Sequence, residues 1–163
     1  MQKITPCLWF DHNAEEAVSF YTAIFKNAKV GKVSRYGEAG HEIHGKPAGT
    51  VLTIEFELNG QTFTALNGGP VFQFNEAVSF QVGCDSQEEV DYYWARLSEG
   101  GDPSAQRCGW LKDKYGLSWQ IVPTILSRWL QDQDARKRDR MMKALLQMRK
   151  IDIKALERAV EEN

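Results

Sequence analysis

Cysteine is scarce: Cys7, Cys84 and Cys108 are the only three, and none shares a CxxC spacing. An odd count without paired spacing argues against a disulfide framework and suits a reduced, cytoplasmic setting. Long apolar runs are also missing. No stretch approaches the about 18 uninterrupted apolar residues that a membrane-crossing helix needs, so no membrane partner is expected. The start, MQKITPCLWF, has one lysine and no long apolar core, and it predicts no signal peptide. Charge of one sign is lacking too. Twenty Lys and Arg against 22 Asp and Glu leave −2, which points to no polyanion partner.

What is present is a core. The 163 residues are 42% hydrophobic and 11% aromatic, enough for one domain, or one domain with a helical tail. The most informative stretch is Cys108–Pro123, CGWLKDKYGLSWQIVP. It predicts a hairpin in which Cys108–Lys112 runs up, Asp113–Gly116 turns and Leu117–Val122 returns, with Asp113 and Lys114 as turn residues. Alternation along the return strand sets Ser118, Gln120 and Val122 on one face and Trp119 and Ile121 on the other. One face reads as core, the other as the wall of something polar.

Along the chain, Ile4–Phe10 reads as a strand. Asp11–Asn13 supplies cap residues, and Ala14–Phe25 has helical spacing with Ala17, Phe20, Tyr21, Ile24 and Phe25 on one side. Lys29–Tyr36 reads as a strand entering the glycine-rich loop GEAGHEIHGKPAG. Thr50–Leu58 and Gln61–Leu66 form a hairpin across Asn59-Gly60, and Asn67–Asn75 is a glycine-proline loop. A second pass follows. Ala77–Gly83 is a strand, Ser86–Leu97 a helix capped by Ser86 and ended by Gly100-Gly101, and the Cys108–Val122 hairpin closes the unit. The two helices correspond at an offset of 73, with Glu15-Glu16 matching Glu88-Glu89 and Phe20-Tyr21 matching Tyr93-Trp94. Each half reads strand–helix–strand–strand–strand, an internal repeat.

After Pro123 the composition shifts. Residues 124–163 hold ten of the twenty Lys and Arg, and apolar spacing becomes helical: first Ile125, Leu126, Trp129 and Leu130, then Met141, Met142, Leu145, Leu146 and Met148. Asp152 caps a last helix. This predicts an amphipathic tail packed on its own domain or on a second subunit. Asp132, Asp134 and Asp139 interrupt the basic run and no reading motif is present, so nucleic acid is not an expected partner.

Five segments, AEEAVSFYTAIF, NGQTFTALNGGP, EEVDYYWARL, CGWLKDKYGLSWQIVP and KIDIKALERA, together resemble the vicinal oxygen chelate superfamily, and within it the PhnB-like, 3-demethylubiquinone-9 3-methyltransferase-like branch. That superfamily contains glyoxalase I, extradiol dioxygenases and bleomycin- and fosfomycin-resistance proteins. The resemblance covers nearly the whole chain. It implies an α+β fold of two βαβββ modules, about 3–67 and 76–122, forming curled, cupped mixed sheets. The domain is then 1–123, with 124–163 a helical C-terminal extension, and a homodimer usually completes the cup.

Metal-dependent members of the superfamily bind a divalent ion through His, Glu or Gln from four strands. Carried over, these positions fall at Pro6, at Ala77 or Ser79, at Gln120, and near Thr64–Asn67, where only Asn67 offers an amide. Pro, Ala or Ser and two neutral amides do not make that site, so no metal and no cofactor are expected. His41 and His44 form HEIH rather than HExxH, in a loop without supporting partners, and His12 reads as a surface residue. No GxGxxG-type loop follows a strand, and Asn67-Gly68-Gly69-Pro70 precedes no helix, so the methyltransferase label gains no support.

The ligand-binding candidates follow from the implied cup. Asn67, Ser79, Ser118 and Gln120 are the polar groups expected inside it, with Leu8, Phe10, Phe72 and Phe74 as apolar wall. Cys108 is counted with them as a packing cysteine rather than a nucleophile. Glu55 and Glu57 fall on a solvated face, and no catalytic residue is assigned. The expectation is a metal-free homodimer binding or transforming a small organic ligand. The alternatives are a metal-dependent lyase, isomerase or dioxygenase with atypical ligands, and a dimeric scaffold acting through its tail.

Overall fold

The computed structural model describes residues 4–161. Residues 1–3, where the first module's expected start falls, and 162–163, the end of the expected extension, lie outside the described residues. The chain divides into two compact units, one ending at Phe74 and the other beginning at Asn75.

In the first unit the order is β1 (Cys7–Phe10), α1 (Ala14–Ile24), β2 (Ala28–Arg35), a single helical turn α2 (His41–His44), β3 (Val51–Leu58) and β4 (Gln61–Asn67). The sheet runs β1-β4-β3-β2, with β1 parallel to β4 and the other pairs antiparallel. The β3–β4 turn is Asn59-Gly60, as the sequence predicts. Both residues have left-handed backbones (φ 46° and 84°), which the two-residue hairpin turn requires. Alternation then sends Ile54, Phe56 and Leu58 inward and leaves Glu55 exposed. Helix α1 lies on the inward face, where Tyr21 stacks on Phe56 at 6.2 Å and Phe56 on Phe63 at 5.2 Å.

In the second unit come β5 (Ser79–Cys84), α3 (Gln87–Ser98), a 3-10 turn (Pro103–Ala105), β6 (Trp110–Lys112) and β7 (Ser118–Pro123). The sheet is β5-β7-β6, again with first and last strands parallel. Ser86 caps α3 by accepting from the Glu89 amide at 3.2 Å. Both units thus share a first strand, a helix and a last strand that pairs parallel with the first.

The second module nevertheless has three strands where four were expected. The place filled by β2 in the first unit is taken by the 3-10 turn. Asp102 accepts from the Ser104 amide at 2.8 Å, and Pro103 has no amide hydrogen for a ladder. The expected loop around HEIH also folds: His44 accepts from the Lys46 amide at 2.9 Å and lies 4.5 Å from the Tyr36 ring.

The C-terminal helices α4 (Leu126–Leu130), α5 (Ala135–Leu145) and α6 (Ile153–Glu161) belong to the second unit. Leu126, Trp129, Met141, Leu145, Ile151 and Leu156 form their own buried cluster. Backbone bonds tie this cluster to the β6 approach, Cys108 N–H to the Met148 carbonyl at 2.8 Å and Gly109 N–H to that of Arg149 at 2.7 Å. Gln87, on α3, accepts from the Ile153 amide at 2.9 Å and donates to the Ile151 carbonyl at 3.1 Å. Asp152 caps α6 through the Ala155 amide, as expected.

Candidate functional site

The second sheet is fixed by one carboxylate. Asp113, 2% exposed, accepts from the Tyr115 amide (2.9 Å), the Leu117 amide (3.1 Å) and the Trp119 indole (2.9 Å). This closes the β6–β7 turn and pins Trp119 to the helix-facing side. Trp119 and Ile121 are buried there, with Leu111.

The opposite face of the same strands is polar. Register pairs Ser79 with Ser118 and Gln81 with Gln120 across β5 and β7, and Lys112 with Ser118 and Trp110 with Gln120 across β6 and β7. Residues directly paired across a sheet share a face. Gln120 Nε2 donates to Ser79 Oγ at 2.8 Å, and Gln81 Nε2 donates to Gln120 Oε1 at 3.3 Å. Ser118, 1% exposed, keeps its hydroxyl without a hydrogen-bond partner among the described residues. At the rim Lys112 Nζ pairs with Glu76 Oε1 at 2.5 Å, and this bond holds the Glu76 carboxyl below its ordinary range.

Of the residues expected in a binding cup, Ser79, Ser118 and Gln120 meet on this face. The others lie elsewhere. Leu8 and Phe10 are buried on the α1 side of the first sheet, because β1 pairs Leu8 with Ala65 and Phe10 with Asn67. Cys7 and Trp9 take the opposite face. Asn67 is also buried, with its amide fully used. Its Oδ1 accepts from the Ala14 amide (2.9 Å), and its Nδ2 donates to Glu15 Oε2 (2.8 Å) and the Val51 carbonyl (3.1 Å). Phe74 packs edge-on against Phe10, and Phe72, 62% exposed, against Trp9. Cys108 is not on a strand. It sits in a left-handed backbone (φ 51°) before β6 and packs against the C-terminal cluster. Gln81, Trp110 and Lys112 are the residues of the polar face that sequence reasoning missed. The signal for Gln81 was its alternation with Ser79 along β5.

A family model described as 3-demethylubiquinone-9 3-methyltransferase matches residues 2–122. The PhnB protein from Bacillus cereus is 38% identical, with 76% of this chain and all of that one covered and a TM-score of 0.63. The chain belongs to the 3-demethylubiquinone-9 3-methyltransferase family. This is the PhnB-like branch of the vicinal oxygen chelate superfamily. Two more distant structures share the fold. One is PA1353 from Pseudomonas aeruginosa, at 20% identity over 76% of this chain and 98% of that one, with a TM-score of 0.57. The other is the fosfomycin resistance protein FosX from Listeria monocytogenes, at 19% identity over 80% and 98%, with a TM-score of 0.55. No curated protein sequence matches the chain.

The metal ion of the superfamily's metal-dependent members can be tested against the residues of this PhnB-like chain. On the second sheet the donors are two amides, two hydroxyls and one ammonium already paired with Glu76. Apart from Glu76, whose carboxylate is paired with Lys112, the oxygens of this face are neutral and offer a divalent ion little balancing charge, and no imidazole or thiolate is among its residues. Among the described residues no three His, Cys, Asp or Glu side chains gather closely enough to hold an ion. The donor set does not fit a metal.

The glycine-rich Asn67-Gly68-Gly69-Pro70 stretch serves packing. Trp9 Nε1 donates to the Gly69 carbonyl at 2.8 Å, and a Cβ on Gly68 would stand 2.3 Å from the indole ring. Only glycine permits that approach, and the stretch opens no helix, so it forms no phosphate cradle of the dinucleotide type.

One thiol in the second unit has a testable state. Burial, with the Glu89 and Asp85 carboxylates adding to it, pushes the Cys84 thiol up to about 12. At pH 8 its thiolate is then on the order of one in ten thousand. Native protein treated with a disulfide reagent at pH 8 is expected to leave Cys84 unmodified until denaturant is added. Modification within minutes would contradict the assignment. The folded value lies above the ordinary 9.0, so this thiol's contribution to stability is complete below about pH 9 and declines from pH 9 towards 12.

Proposed function

We propose that this protein binds a small organic molecule directly through the side chains of the second sheet's polar face, without a metal ion, as a cytoplasmic homodimer. The buried Ser118 hydroxyl without a partner carries this reading. Leaving such a group unsatisfied costs about 1–3 kcal/mol, and a ligand that reaches it offsets that cost. Gln120 lies beside it, ordered by Ser79 and Gln81, and Trp110 supplies an apolar flank. A few convergent polar groups beside an aromatic surface are what small-molecule sites use.

The free thiols Cys7, Cys84 and Cys108 suit a reducing compartment. Dimerisation has an open surface to draw on: β2 is an edge strand that exposes Val30 and Val33. Methyl transfer is not part of the proposal, because the glycine-rich stretch is committed to Trp9.

The test is a thermal-shift screen of small acids, alcohols, ketones and amides on wild type and Gln120→Ala. A compound that stabilises wild type is expected to bind the variant about tenfold more weakly, the worth of one lost hydrogen bond. Equal stabilisation of both proteins by every hit would count against this face as the site.

A further inference from the structure

A donor count on this face says what kind of molecule it suits. Among the described residues Ser118 Oγ makes no hydrogen bond, and Ser79 Oγ accepts from Gln120 but donates to nothing. Gln120 Nε2 uses one of its two N–H groups, and so does Gln81 Nε2. Lys112 brings a cation to the same face, at the register position facing Ser118. The face therefore has spare O–H and N–H donors and a positive charge, while its strongest acceptor, the Glu76 carboxylate, is occupied by that charge.

Lys112 and Glu76 differ in how they are held. The Lys112 side chain is 26% exposed, whereas the Glu76 side chain is 61% exposed, on the segment leading into β5. An exposed carboxylate returns to water at little cost, and a lysine under the rim stays. Glu76 thus occupies the position that an external oxyanion would take.

We propose that the ligand of this face is a small organic oxyanion, of the carboxylate or sulfonate class, whose charge is met by Lys112 after Glu76 swings away. Its oxygens accept from Ser118 and Gln120, and its carbon skeleton lies against Trp110. This rests on the polar face being the binding site.

The experiment is a side-chain amide NMR titration of the full chain with sodium benzoate, sodium benzenesulfonate and neutral benzamide. Wild type, Glu76→Gln and Lys112→Gln are compared. Either anion is expected to shift the Gln120 and Gln81 amide signals, and benzamide to do so more weakly. Glu76→Gln removes the internal competitor and is expected to tighten anion binding about two- to fivefold. Lys112→Gln is expected to weaken it about tenfold or more while leaving benzamide unchanged. If benzoate alone or benzenesulfonate alone responds in this way, the class narrows and the proposal holds. Benzamide binding as tightly as both anions, with neither variant altering the order, overturns the oxyanion proposal and leaves the binding face standing. If no probe moves Gln120 or Gln81, both readings fall. Glu76→Gln changes only an exposed group, so a folding defect in Lys112→Gln does not hide the answer.

Discussion

Asp113→Ala is expected to lower the unfolding free energy by about 3–5 kcal/mol. The substitution removes an acceptor shared by two amides and the Trp119 indole, all within 3.1 Å of the carboxylate. Asp113 is 2% exposed and Trp119 3%, so water does not replace it without opening the turn. Each of these three bonds is lost in a site closed to water, and the three losses together account for the estimate. The consequence reaches function, since the turn sets the register that brings Lys112 opposite Ser118. Urea unfolding followed by tryptophan fluorescence measures the effect. A loss below about 1 kcal/mol would mean that the turn is held by something other than this carboxylate.

The second large effect is in the first unit. Asn67→Ala is expected to cost about 2–4 kcal/mol. The Asn13 side chain does not cap α1. The buried Asn67 amide takes that role from 53 residues away, accepting from the Ala14 amide and donating to Glu15 and the Val51 carbonyl. Alanine leaves a helix N-terminal amide and a buried strand carbonyl unsatisfied together. The same urea titration applies. If Asn67 is instead a ligand contact, alanine there will abolish binding while leaving stability within about 0.5 kcal/mol.

Asn67 also shows where sequence reading stops. A polar residue beside two glycines at a strand end reads as the lining of a cavity, and no local pattern announces a cap delivered from so far along the chain. The first strand has a similar ambiguity. CLWF is apolar on both of its faces, so alternation could not say that Leu8 and Phe10, rather than Cys7 and Trp9, meet α1. Signals that are local and chemical survived intact. Asn59-Gly60 makes the turn, Ser86 and Asp152 cap their helices, and DKYG closes the β6–β7 turn through Asp113. The polar face was half legible. Ser118 and Gln120 alternate with Trp119 and Ile121 on a strand whose core side is plain. Lys112 and Trp110 join them only through cross-strand pairing, which depends on turn length. The missing fourth strand of the second module was hidden because a short segment with Gly and Pro fits an edge strand or a 3-10 turn equally well.

The central claim is that side chains, rather than a metal ion, make the ligand contacts. Calorimetric titration of chelator-treated, tag-free protein with Zn, Ni and Mn, paired with elemental analysis of the protein as purified, tests it most directly. Neutral amides and hydroxyls beside Lys112 predict no stoichiometric metal and no saturable heat. One equivalent of metal per chain, lost in Gln120→Ala, would contradict the account and make metal-dependent chemistry the function to assay.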